Sequence, residues 1–356
     1  MGIKDFYKYV KTRWPECFTA VRYDHFRYQR IALDMMNLLY VFRARSELAW
    51  MQMLIQYLQR LRNEYVHLVC VFDSNQPHPL KQATVDKRRE DREKGRHRVQ
   101  TLRAALDRYE QDETCTDELH TFLQAHPECV SALTQKPILG AIRDHLLRLQ
   151  RAYSLSFRTE EIQAVQALLR ALGYCVLQAE YDGEALCAYL SAQGAVDAVL
   201  SNDSDVFFFG ATRVLFRFTD EGAYLIDASK LLSHMGLNRA QFIELCLLCG
   251  TDFNVSVRGI GFCRAYALVQ QYPQTNVPHF PLQLDHTLLD QVRAFTDASH
   301  GTPFLSAVHY CRPPTDRSSI AQLAFRHHID MPLDELMAYR WTPVVVEGGV
   351  TDDDPA

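Results

Sequence analysis

Four apolar runs along this chain end on acids. "RIALD" closes on Asp34, "HLVCVFD" on Asp73, "VLQAEYD" on Asp182 and "VDAVLSNDSD" on Asp203 and Asp205. Their uninterrupted apolar character predicts strands buried on both faces, as in a parallel sheet covered by helices. Between them lie segments of helical period, "ELAWMQMLIQYLQRLRNE", "RTEEIQAVQALLRALG" and "DGEALCAYLSAQG", the second stopped by Gly173. "TRVLFRFTDEGAYLID" reads as a β-hairpin, and "ASKLLSHMG" and "NRAQFIELCLLCG" as helices. The pattern is that of an α/β fold with a central, largely parallel sheet.

Residues 81–156 break this pattern. "KQATVDKRREDREKGRHRVQTLRAALDRYEQDE" is charged almost all round, basic first and acidic later. A helix of this kind has no apolar face wide enough for a core, so it is expected to stand in solvent as a helical insertion, with a looser part around "HPECVSALTQKP". Beyond Ala265 the pattern weakens, "QQYPQTNVPHFPLQLDH" reads as loop, and the "TDDDPA" tail as disordered. The expected division is 1–80 and 157–270 for the core, 81–156 for the insertion and 271–356 for a C-terminal extension.

Composition narrows the chemistry. The 356 residues are 47% hydrophobic, enough for a sizeable core, and contain no run of transmembrane length and no signal-like N-terminus. Ten cysteines, of which only Cys246 and Cys249 are spaced CxxC and these lie inside a helical pattern, favour a reducing, intracellular setting, and the 14 histidines show no metal-site clustering. The net charge of −5 speaks weakly against nucleic acid, but the charge is unevenly distributed.

In an open α/β sheet the functional crevice lies outside the carboxyl ends of the strands. Asp34, Asp73, Asp182, Glu184, Asp203 and Asp205 would share that rim, and Asp252 in "LCGTDFN" is a seventh candidate. Each acid alone is better read as a cap or turn former. Acids at every strand exit call for another reason. Hard divalent cations bind carboxylate oxygens, and two of them roughly 3.5–4 Å apart can clamp the attacking and leaving oxygens of a phosphodiester displacement.

These motifs together resemble the flap endonuclease (XPG-type) family of structure-specific nucleases, in order from Met1 to about Gln270. The start "MGI", "ALDMMNLLY", "VFDSNQPHPLKQATVDKRR", "AEYDGEALCAYL", "SNDSDVFFFG" and "GTDFNVSVRGIGFCRA" match its successive motifs. The resemblance implies a PIN-like nuclease core with an inserted helical arch and a helix-two-turn-helix element. It implies metal ligation by Asp34, Asp73, Asp182, Glu184, Asp203, Asp205 and Asp252, and catalysis by Lys81 and Arg88 at the scissile phosphate. DNA contacts would come from Gly2, Tyr40, Arg89, Gly259, Gly261 and Arg264. Two Mg²⁺ ions, replaceable by Mn²⁺, are the implied cofactors, with K⁺ at the hairpin as a further cation.

The implied partner is DNA with single-strand/double-strand junctions, cut by a monomer in the nucleus or at sites of viral DNA replication. Two alternatives stay open: an RNA endonuclease like the herpesvirus host-shutoff proteins, and a non-catalytic nucleic-acid-binding relative. Departures from the family pattern are Asp182 where glutamate is usual, with Glu180 close by, a longer insertion, and "GIGFCRA" in the hairpin. There is no recognisable sliding-clamp motif near the C-terminus.

Overall fold

The computed structural model describes residues 2–132, 134–275, 280–297 and 302–339; the "TDDDPA" tail lies outside them. Seven strands form one sheet: β1 (Thr19–Arg22), β2 (Arg30–Asp34), β3 (His67–Phe72), β4 (Cys175–Gln178), β5 (Ala198–Leu200), β6 (Arg213–Phe216) and β7 (Gly222–Asp227). The order is β1-β7-β6-β5-β2-β3-β4. From β6 to β4 every pairing is parallel, and the β6–β7 hairpin and β1 add an antiparallel edge. The chain passes outward through β2, β3 and β4 and then returns to place β5 on the other side of β2. The order therefore reverses between β2 and β5, where α/β sheets open a crevice.

The helices are α1 (Phe6–Arg13), α2 (Met35–Arg45), α3 (Trp50–Asn63), α4 (Gln82–Asp112), α5 (Asp117–Ala125), α6 (Leu139–Ser154), α7 (Thr159–Ala171) and α8 (Gly183–Ala192). They continue with α9 (Asp205–Phe208), α10 (Ala228–Met235), α11 (Arg239–Cys249), α12 (Phe262–Gln271), α13 (His286–Asp297), α14 (Arg317–Arg326) and α15 (Leu333–Leu336). Strand residues alternate between two cores. Ala32, Val69, Val71 and Val199 pack with Phe207, Leu245 and Phe262 on one face. Ile31, Leu33, Cys70 and Leu200 pack with Leu54, Leu58 and Leu168 on the other. All six residues of β3 are buried, which explains its unbroken apolar run. Trp50 and the Phe207–Phe209 run are core. Among the described residues no helix is long and apolar enough to cross a membrane.

One expectation needs correction. The insertion is not charged on every side: Val99, Leu102, Ala105 and Leu106 of α4 pack with Leu119, Cys129, Ile142 and Leu146 in a small core of their own. Their spacing of three and four residues marks only the distal half of α4, and the charged proximal half masks it in the whole-helix pattern. Ion pairs such as Arg143–Glu110 (2.7 Å) flank this core.

The C-terminal extension, expected as helix and loop, carries α13, α14 and α15 among its described residues, and its end closes the second core. Ile320 and Leu336 are buried there, and Gln59 donates to the Leu336 carbonyl at 2.7 Å. Arg62, 1% exposed, donates to the carbonyls of Leu172 and Ala338, both at 2.8 Å, and lies over the Tyr174 ring.

Because the insertion carries a separate core, Ile142→Ala is expected to loosen it locally. The substitution should cost about 2–5 kcal/mol within the insertion. Hydrogen exchange should quicken in α6 and distal α4 while β3 stays protected. Equal loss of protection in β3 would contradict a separate core.

Candidate metal centre

The acids at the strand exits converge on the crevice. Asp34 ends β2 and caps α2, accepting from the Asn37 amide at 3.1 Å. Its other oxygen accepts from Ser201 Oγ at 2.7 Å, and the same hydroxyl accepts from the Asp203 amide at 2.9 Å. One buried serine thus ties the ends of β2 and β5 together across the reversal. Asp73 follows β3 and accepts from the Gly183 amide at 2.8 Å. A Cβ at residue 183 would stand 2.8 Å from that carboxylate oxygen, so the approach needs glycine. Asp182 and Glu184 flank Gly183 at the start of α8. Asp203 accepts from the Asp205 amide at 3.0 Å, and Asp205 from the Asp252 amide at 3.3 Å.

Seven carboxylates therefore meet at one rim. Asp34, Asp182, Asp203, Asp205 and Asp252 are buried, and Asp73 and Glu184 half-buried. Asp182 is the inward acid of its motif, since Glu180 is exposed. Gly2 belongs to the same wall. Its φ of +81° and the 2.2 Å from a would-be Cβ to Asp203 Oδ1 exclude a side chain. Tyr7 of α1 stacks on Phe216 (3.7 Å, 12°) and donates to the Asp203 carbonyl at 3.3 Å.

The charges are strained toward protonation. Burial, with the Asp73 charge, pushes Asp34 up to about 7 against the hydrogen bonds from Ser201 and Asn37. Burial raises Asp73 to about 6 although Lys81 pulls it down. Asp203 is raised, and Glu184 and Asp205 stand well above the ordinary carboxylate range, in each case chiefly through burial.

Lys81 and Arg88 supply the cations. Lys81 ends a 3-10 turn just before α4, and Arg88 lies on α4 itself. Its ammonium bonds Asp182, Glu184 (3.3 Å) and Asp252 (3.4 Å), and Arg88 pairs with Asp252. Burial opposes the Lys81 charge, yet Glu184, Asp182 and Asp252 together push its pKa up.

The donors fit a hard divalent cation. Buried Asp182 Oδ2 and Asp205 Oδ1 have no hydrogen-bond partner, and carboxylate oxygens of Glu184, Asp205 and Asp252 lie within 4.8 Å of one another. An all-oxygen set suits Mg²⁺ or Mn²⁺. The nearby Cys187 thiol is held protonated, its pKa raised by burial and by Asp34, Asp73 and Glu184, so it is no competing soft ligand.

The remaining candidates spread outward. Tyr40 is half-buried on α2, edge-on to Phe157 (5.3 Å, 78°) and within the field of Arg92, Asp73 and Arg88, at the mouth of the crevice. Arg89 is exposed and pairs with Asp86. Gly259 (φ +75°), Gly261 and Arg264 are exposed at the turn and start of α12, which packs against α11 as a helix-two-turn-helix. A Cβ at either glycine would meet nothing within 4 Å, so both leave open backbone facing solvent.

Ser201, Asn37 and Tyr7 were missed from sequence. Only the polar "SN" directly after an apolar strand hinted at Ser201. The histidines also need correction, because His126 and His145 come together with Glu128 in the insertion.

Comparison with known proteins agrees with this geometry. The XPG I-region profile matches residues 173–252. The chain is similar to a probable RAD2-like endonuclease of Invertebrate iridescent virus 6, 23% identical over 307 residues that span 76% of this chain and 71% of the relative. It is similar to a flap endonuclease 1 of Picrophilus torridus, 35% identical over 133 residues covering 33% of this chain and 39% of that one. The fold resembles the catalytic core of Rad2 in complex with DNA substrate, with a TM-score of 0.59 and 18% identity over 94% of this chain and 99% of that one.

Raised carboxylate pKa values set a sign for stability. Asp34 and Asp73 titrate near 4 when unfolded and near 7 and 6 when folded. Their contribution is complete below about 4 and is lost as pH rises to 6 to 7, because over that interval the unfolded chain has given up protons that the folded state still holds. In chelator the melting temperature should fall between about pH 4 and 7, less steeply in Asp73→Asn, and Mg²⁺ should flatten the fall. A melting temperature that rises with pH in chelator would contradict this.

Proposed function

We propose that this chain, which belongs to the XPG-type nuclease family, is a divalent-metal-dependent endonuclease that hydrolyses DNA phosphodiesters at flaps and junctions. The observation that carries the reading is the carboxylate rim with orphaned oxygens on Asp182 and Asp205, faced by two cations that open the inserted helix. Divalent ions held by Glu184, Asp205 and Asp252, with Asp34, Asp73, Asp182 and Asp203 around them, would supply Lewis-acid stabilisation of the phosphate and a water of lowered pKa. Two such ions are the proposed complement.

The chain's own residues do the positioning. A phosphodiester approaching seven carboxylates is repelled unless cations meet it. Lys81, charged at any physiological pH, and half-exposed Arg88 stand where the extra charge of the transition state would develop. The rest of the α4 basic stretch draws in single strand, and residues 81–156 act as the arch that gathers it. Tyr40 offers a stacking face at the mouth. The open backbone at Gly259 and Gly261, with Arg264, grips the duplex through phosphates without reading sequence. The proposed division is 1–80 and 157–270 for the nuclease body and 271–356 for an extension, of which the described residues Ile320 and Leu336 pack into the second core. We place the enzyme inside the cell, acting as a monomer.

Arg88→Ala should lower the single-turnover rate on a 5′-flap DNA by roughly a hundred to a thousand, the scale of one lost electrostatic donor. Affinity should fall far less, since neighbouring cations remain. A four-way junction and a capped RNA run beside the flap decide the substrate class. Efficient cutting of the RNA alone would overturn the DNA reading, and a mutant that loses affinity but keeps its rate would overturn the role of Arg88.

A further inference from the structure

The arch carries a second set of donor atoms, of different chemistry. His126 follows α5, Glu128 lies in the 3-10 turn Pro127–Cys129, and His145 sits on α6. One ligand atom of each lies within 4.8 Å of the other two. The imidazole centroids are 4.2 Å apart, and His126 Nδ1 stands 3.1 Å from Glu128 Oε1. Phe122 walls the group, tilted on His126 at 4.6 Å and edge-on to His145 at 5.0 Å.

This place is remote from the carboxylate rim. Arg103 bonds Gln150 and Arg143 bonds Glu110, so α6 runs back along α4 and His145 stands about level with residue 108. At about 1.5 Å per residue that is about 40 Å along the helix from Lys81.

We propose that His126, Glu128 and His145 form a zinc site that pins the 127–129 turn to α6, with the fourth position left to solvent. Two imidazoles and a carboxylate are a donor set that Zn²⁺ takes readily, unlike the all-oxygen rim. Bonds of about 2.0–2.1 Å in a tetrahedron place ligand atoms about 3.3 Å apart. His126 Nδ1 and Glu128 Oε1, 3.1 Å apart, already stand at about that spacing, so the closing required is toward His145, and the Glu128 side chain, 65% exposed, has room to follow. The half-buried histidines sit against Phe122, which shields the metal bonds from water on one side.

A staple has a physical purpose here. Among the described residues the arch core holds eight buried apolar side chains. Apart from the 3-10 turn and one isolated bridge, Val130 to Pro137, no regular structure ties the described residues of 126–138 down. A cluster that small gains most from an added cross-link.

The test uses the full chain carrying Asp205→Asn, which weakens the carboxylate centre, titrated with Zn²⁺ by calorimetry in millimolar Mg²⁺. One equivalent should bind, and His126→Gln or His145→Gln in the same background should each weaken it more than tenfold. X-ray absorption on the zinc-loaded unsubstituted arch residues should show nitrogen neighbours at about 2.0 Å, a readout that does not depend on how well a variant folds. No zinc uptake in Mg²⁺, uptake indifferent to both histidines, or an all-oxygen shell would overturn the proposal. None of these readouts involves cleavage, so failure here leaves the nuclease reading untouched.

Discussion

Mutual repulsion among buried carboxylates is the constraint from which the rest of this structure follows. Seven acids share one rim of a parallel sheet, and burial raises the pKa of five of them, Asp34, Asp73, Glu184, Asp203 and Asp205. The fold tolerates this because donors are set against individual oxygens: Asn37 and Ser201 on Asp34, the Gly183 amide on Asp73, the Asp252 amide on Asp205. What the backbone does not satisfy, on Asp182 and Asp205, is left for cations.

Topology and electrostatics reinforce each other. The reversal of strand order between β2 and β5 opens the crevice, and Ser201 bridges it. The 31-residue helix α4 rises directly from this rim, so the cations at its base belong to the centre while its length belongs to the arch. The distal arch is held by its own small core, which lets one element combine a fixed foot with a semi-independent head.

Much of this was legible in the sequence. Uninterrupted apolar strands ending on acids gave both the parallel sheet and the rim, because burial on both faces and the C-terminal crevice leave a local signature at each strand. The arch core was not legible, since Val99, Leu102 and Leu106 occupy only the distal half of a helix dominated by charge. Nor was the C-terminal packing, whose partners for Ile320 and Leu336 lie far back in the chain. Ser201 and Tyr7 act across 167 and 196 residues, and no local pattern records such contacts. His126 and His145, nineteen residues apart, meet only because the arch folds back on itself.

If cation neutralisation is what lets the rim exist, removing one buried charge should relieve the fold when no metal is present. The direct measurement compares the melting temperature of the natural chain with Asp205→Asn, in chelator and across a Mg²⁺ titration at pH 8. The account predicts that the variant is the more stable in chelator and gains less from Mg²⁺. A variant that is less stable in chelator, yet gains as much from Mg²⁺ as the natural chain, would contradict it.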